Sequence, residues 1–64
     1  MKRRDLLRRL REIAKAAGME LVMVEGTKHT QVRIGDRTSY VPRHREVNEL
    51  TARSIIRHMA GEEG

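Results

Sequence analysis

The hydrophobic period of this chain changes twice along its length, and each change demands a change of element. Leu6, Leu7, Leu10, Ile13, Ala14 and Ala17 recur at helical spacing and form one apolar stripe. Gly18 supplies a stop, so a helix is predicted from about Arg3 to Ala17. Asp5 falls in its first turn, where a carboxylate suits the positive end of the macrodipole. Met19 to Val24 is rich in apolar and β-branched residues and reads as a strand, ending at the hairpin loop Glu25-Gly26-Thr27-Lys28. His29 to Ile34 alternates. Gly35-Asp36 is a two-residue turn signal, Arg37 to Val41 makes a third strand, and Pro42, which has no N–H for a ladder, ends it. The helical period returns at Ala52, Ile55, Ile56 and Met59 behind the N-cap Asn48. This second helix is predicted to end near Gly61, with the Gly61-Glu62-Glu63-Gly64 tail frayed.

A meander of three strands needs one face covered, and two amphipathic helices can cover it only from the same side. The expected fold is α+β: α-β-β-β-α order, a three-stranded antiparallel sheet, two helices on one face and the other face open. A two-residue turn at Gly35-Asp36 pairs Ile34 with Arg37, Val32 with Ser39 and Gln31 with Tyr40, and residues directly opposite point the same way. His29, Gln31, Arg33, Thr38 and Tyr40 then share the open face, expected to be polar, while Val32 turns inward. Lys28, Arg43, His44 and Arg45 form its rim.

With 64 residues the chain holds a single domain, 1–64, that buries barely enough apolar surface to fold. It has no Phe, Trp or Cys, and Tyr40 is its one aromatic residue. The core must therefore come from Leu, Ile, Val, Met and Ala, and a deep walled pocket is not expected. Without cysteine there is neither a disulfide framework nor a thiolate metal site, and the three histidines offer no HxxxH pair. No metal and no small-molecule cofactor are expected. Arg8, Arg9 and Arg11 interrupt any apolar run after the Met-Lys-Arg-Arg opening, and no run is long enough to span a membrane. A cytoplasmic protein is expected.

Charge narrows the partner. Fourteen Lys and Arg against nine Asp and Glu leave a formal net charge of +5, and 11 of the cations are Arg, whose planar fork suits phosphate. Residues 1 to 15 are net +5, residues 28 to 45 net +4, and the remainder net −4. Such segregation points to a polyanion, with nucleic acid the default. The basic face of the first helix has two rival uses, phosphate contact and insertion at an anionic membrane surface. So small a core needs that helix's apolar stripe, which argues against the membrane.

These residues carry a resemblance. The amphipathic first helix, the Gly-x-x-His hairpin Gly26-Thr27-Lys28-His29, the strand ending in Val41-Pro42 and Thr51-Ala52-Arg53-Ser54-Ile55-Ile56 in the last helix together resemble the HicA family of toxin ribonucleases. The resemblance spans nearly the whole chain. It implies a domain similar to a double-stranded-RNA-binding domain, a toxin of a toxin–antitoxin pair that cleaves messenger RNA, and silencing by a HicB-type antitoxin protein. It also implies that the family's catalytic histidine corresponds to His29. Many members carry an aromatic residue two or three positions later, where this chain has Gln31 and Val32.

RNA can be cleaved without metal, because its 2′-hydroxyl attacks the neighbouring phosphorus once a base takes its proton and cations stabilise the phosphorane. Histidine suits proton transfer at neutral pH. His29 is the candidate general base or acid, Lys28 and Arg33 the groups stabilising the phosphate charge, and Arg43 and Arg45 the contacts to flanking phosphates. Apart from the resemblance, His29 also reads as an ordinary exposed strand histidine. Tyr40 serves either base stacking or packing, and His44 either a second proton transfer or a solvated basic loop. His58, near the end of the second helix, suits the negative end of its macrodipole. A non-catalytic RNA-binding regulator and a small protein-interaction domain are the rival functions.

Overall fold

The computed structural model describes residues 1–62, and it has the expected order: α1 (Arg3–Ala16), β1 (Val22–Glu25), β2 (His29–Ile34), β3 (Arg37–Pro42) and α2 (Glu49–Ala60). Residues 63 and 64 of the tail, expected to be frayed, lie outside the described residues. The strands form one antiparallel sheet in the order β1-β2-β3.

Both helices end by the same device. Gly18 and Gly61 have φ of 71° and 76°, the left-handed conformation that lets a helix's last carbonyls be satisfied by the chain turning back. After α1, Gly18 N–H donates to Lys15 O and Met19 N–H to Ala14 O; after α2, Gly61 N–H donates to His58 O and Glu62 N–H to Arg57 O. This explains a difference from the sequence reading of β1. Met19 is consumed in capping α1, so the strand starts at Val22 rather than Met19, and it runs on to Glu25 because Glu25 pairs with Thr30.

The two helix starts differ. Asn48 caps α2 as expected, its Oδ1 accepting from Leu50 N–H at 2.9 Å and from Thr51 N–H at 3.4 Å. Lys2 gives α1 no side-chain cap. A backbone ladder replaces it: Arg3 N–H donates to Arg45 O, Val47 N–H to Met1 O, and Lys2 bridges Glu46. The loop after β3 is thereby sewn to the start of the chain, and Val47 joins the core.

The β2–β3 register is the expected one, with Ile34 opposite Arg37, Val32 opposite Ser39 and Gln31 opposite Tyr40. Thr30, Val32, Ile34 and Val41 are buried beneath the helices against Leu6, Leu7, Leu10 and Ala14 of α1 and Ala52, Ile55 and Met59 of α2. Leu6 and Leu10 are wholly enclosed. Truncating either to Ala costs about 2–5 kcal/mol, a large share of the roughly 3–10 kcal/mol open to a chain this short at ~0.05–0.15 kcal/mol per residue. No helix among the described residues is long and apolar enough to cross a membrane.

The open face corrects the expectation of a polar surface. Val22 stands opposite Arg33 and Val24 opposite Gln31, so both valines join His29, Gln31, Arg33, Thr38 and Tyr40 there. Val24 is 57% and Tyr40 59% exposed. The face is therefore amphipathic. Leu21 to Val24 is an unbroken apolar run without alternation, so only pairing reveals which of its residues face out.

Asn48→Ala removes both side-chain cap bonds of α2. The expected loss is about 1 kcal/mol, or roughly 4–8 °C in the thermal midpoint of a domain this size, measured by far-UV circular dichroism. An unchanged midpoint would mean the loop ladder, not the cap, sets the start of α2.

Candidate nucleic-acid interface

The hairpin that carries His29 is tighter than its sequence suggests. Gly26 N–H donates to His29 O at 2.9 Å, so only Thr27 and Lys28 form the tip. Gly26 has no positive φ; glycine is required here by close approach. A Cβ at this position would lie 2.7 Å from the His29 carbonyl oxygen, well inside contact distance. The Gly-x-x-His pattern thus has a steric meaning in this chain: the bare Gly26 backbone lets the His29 peptide close the turn.

Arg43 holds the tip from behind. Its N–H donates to Lys28 O at 3.2 Å and its Nη1 to Gly26 O at 2.8 Å, while its Nε lies 3.4 Å from Glu25 Oε2. Sequence reasoning assigned Arg43 to flanking phosphate; the structure gives it a clamp on two carbonyls of the turn, those of Gly26 and Lys28. That pairing carries no sequence signal, because it depends on β3 running past the hairpin.

In front of the hairpin lies a shallow depression of about 350 Å³, lined by Val24, Glu25, Gly26, Thr27, Lys28, His29, Gln31 and Tyr40. It brings together three of the predicted site residues: His29, Lys28 and Tyr40. The exposed ring of Tyr40 is consistent with stacking rather than core packing. Gln31 stands between His29 and Arg33 along β2. Arg33 shares the open face but lies four residues along the strand from His29, about 13 Å at ~3.3 Å per residue. That distance suits a flanking phosphate better than the one at His29. Arg45 is placed elsewhere, lining a separate concavity at the start of α1 with Lys2, Arg3 and Arg4.

The other histidines separate clearly. His44 is exposed in the loop after β3 and does not line the depression. His58 is half-buried, its Nε2 2.9 Å from Thr38 O, so it ties α2 to the outer edge of β3 in addition to sitting in the last turn of its helix. Among the described residues no three His, Cys, Asp or Glu side chains gather to hold a metal ion. The site therefore offers one imidazole, an adjacent ammonium, an exposed phenol and an apolar shoulder at Val24. That set can move a proton beside a phosphate and stack a base.

Gly26→Ala tests the steric reading. The new methyl must push the His29 peptide away, with an expected cost of about 1–3 kcal/mol in chemical denaturation and displaced amide resonances at Lys28 and His29. Wild-type resonances at both would show that the turn absorbs a side chain.

Compared with known proteins, the chain matches no family model, no curated protein and no solved structure.

Proposed function

We propose that this chain is a cytoplasmic toxin-type endoribonuclease of HicA-like character, similar to a double-stranded-RNA-binding domain in architecture. It cleaves messenger RNA without metal and is silenced by a HicB-type antitoxin protein. The observation that carries this reading is the exposed His29 in a depression shared with Lys28 and Tyr40, on a domain of net charge +5. In the reaction the RNA 2′-oxygen attacks the adjacent phosphorus and its proton passes to the imidazole. The 5′-oxygen leaves with a proton returned by the imidazolium or water, giving a 2′,3′-cyclic phosphate and a 5′-hydroxyl. Lys28 neutralises charge on the phosphorane, Tyr40 stacks a base, and Arg33 and Arg45 meet phosphates further along. DNA lacks the attacking hydroxyl and is spared.

One observation favours a second reading, a non-catalytic RNA-binding regulator. Neither ring nitrogen of His29 has a hydrogen-bond partner among the described residues, whereas a proton-transfer group is ordinarily oriented by a neighbour. Both readings give RNA affinity that falls with salt, at a log–log slope of about −0.7 per phosphate contacted on a single strand.

Chemistry separates them. Incubated with single-stranded RNA in EDTA, the wild-type chain should produce fragments ending in cyclic phosphate, and His29→Ala should slow their appearance at least about 100-fold. Shifted bands without fragments would make the chain a binder. Equal cleavage by wild type and His29→Ala would remove His29 from the mechanism.

A further inference from the structure

Glu25 ends β1 beside the hairpin. It pairs with the buried Thr30, so its carboxylate, about half exposed, points to the helix side of the sheet, away from the face that carries His29. Its partners there come from different parts of the chain. Thr30, the buried polar residue that follows His29, accepts a hydrogen bond on Oγ1 from Arg3 Nη2 and donates from the same hydroxyl to Glu25 Oε1 at 3.1 Å. The same carboxylate oxygen lies 3.6 Å from Arg3 Nη2, and the other, Oε2, 3.4 Å from Arg43 Nε. Arg3 Nε also donates to Pro42 O at 3.2 Å, and Pro42 is the register partner of His29.

One carboxylate thus joins the start of α1, the end of β1, the start of β2 and the end of β3. Each link lands on a neighbour of His29: Gly26 across the turn, Lys28 before it, Thr30 after it and Pro42 across the ladder. We propose that Glu25 is a positioning residue, which through Arg3 and Arg43 fixes the Gly26–His29 hairpin and so the backbone that carries the imidazole. The cleavage part of this inference rests on the reading of His29 as the reactive group; the positioning part does not. Holding a reacting group in place matters because a displacement of about 1 Å can cost on the order of 100-fold in rate.

Two variants test it. Glu25→Gln keeps the shape and the acceptor for Thr30 but removes both ion pairs. Thr30→Val removes the hydroxyl linking Arg3 to Glu25 and leaves the net charge unchanged. Three quantities are read on full-length protein: affinity for a 2′-O-methyl RNA that cannot be cleaved, cleavage rate at saturating RNA, and amide exchange at Lys28 and His29. Glu25→Gln should bind the uncleavable RNA within about twofold of wild type, yet cleave about tenfold more slowly or worse. Amide exchange at Lys28 and His29 should accelerate about tenfold in both variants, while exchange in the α1 and α2 cores stays at the wild-type rate. Unchanged cleavage at saturation would overturn the proposal and leave Glu25 a bystander. If wild type itself leaves RNA intact, the ribonuclease reading falls, and the exchange measurement decides the positioning role alone. Wild-type exchange at Lys28 and His29 in both variants would then overturn it. Should Glu25→Gln not fold, Thr30→Val carries the same exchange test.

Discussion

Burial of alternate residues on the central strand sets everything else in this domain. Thr30, Val32 and Ile34 lie under both helices, and because side chains alternate strictly along a strand, His29, Gln31 and Arg33 must face the other way. A slip of one residue would place a histidine and an arginine in a core built without a single Phe or Trp, and would expose two of its largest aliphatic side chains. The helices enforce that parity rather than merely tolerating it. The site residues are therefore held on the open face by the packing of their neighbours, with no contact of their own required.

Thr30 is the informative member of that buried row, because its hydroxyl is enclosed and so must be satisfied. Arg3 and Glu25 satisfy it, and in doing so they divide the arginines of the molecule into two sets. Arg3 and Arg43 are held in the network around Glu25, and Arg8 is paired with Asp5 on α1. Lys28 and Arg33 border the open face and Arg45 the concavity at the start of α1. The formal charge of +5 therefore does not say how the cations are distributed over the surfaces. Affinity for a polyanion depends on where the unpaired cations stand.

Much of this was legible in the residues. The helical stripes, the two-residue turn at Gly35-Asp36 and the Asn48 cap each act through contacts within a few positions, so the sequence states them directly. The register of β2 and β3 followed from the turn. Three features were not legible, for one reason: each is set by distant partners. The outward-facing valines of β1 have no alternation to betray them, and only their pairing with Gln31 and Arg33 reveals the face. The ladder between Met1–Arg3 and Arg45–Val47 joins chain segments more than 40 residues apart. The clamp of Arg43 on the hairpin carbonyls needs β3 to pass behind the turn, and from composition alone an arginine beside a basic loop reads as a phosphate contact.

The same separation explains why the hairpin takes partners from outside itself. A two-residue turn with a glycine shoulder would close without help, since Gly26 and His29 already share a hydrogen bond. What the turn cannot do alone is fix its tip, because Thr27 and Lys28 lie beyond the ladders of β2 with β1 and β3. Surface ion pairs are individually weak, about 0.2–1 kcal/mol each, so stability alone is a poor account of a carboxylate held by Arg3, Arg43 and Thr30 together. Orientation is a better one. Several weak links converging on one carboxylate, each from a different element, restrain rotation in a way that no single strong link could. The geometry around Glu25 has that form, and its only buried component, the Thr30 hydroxyl, anchors the set to the core row that determines which way His29 points.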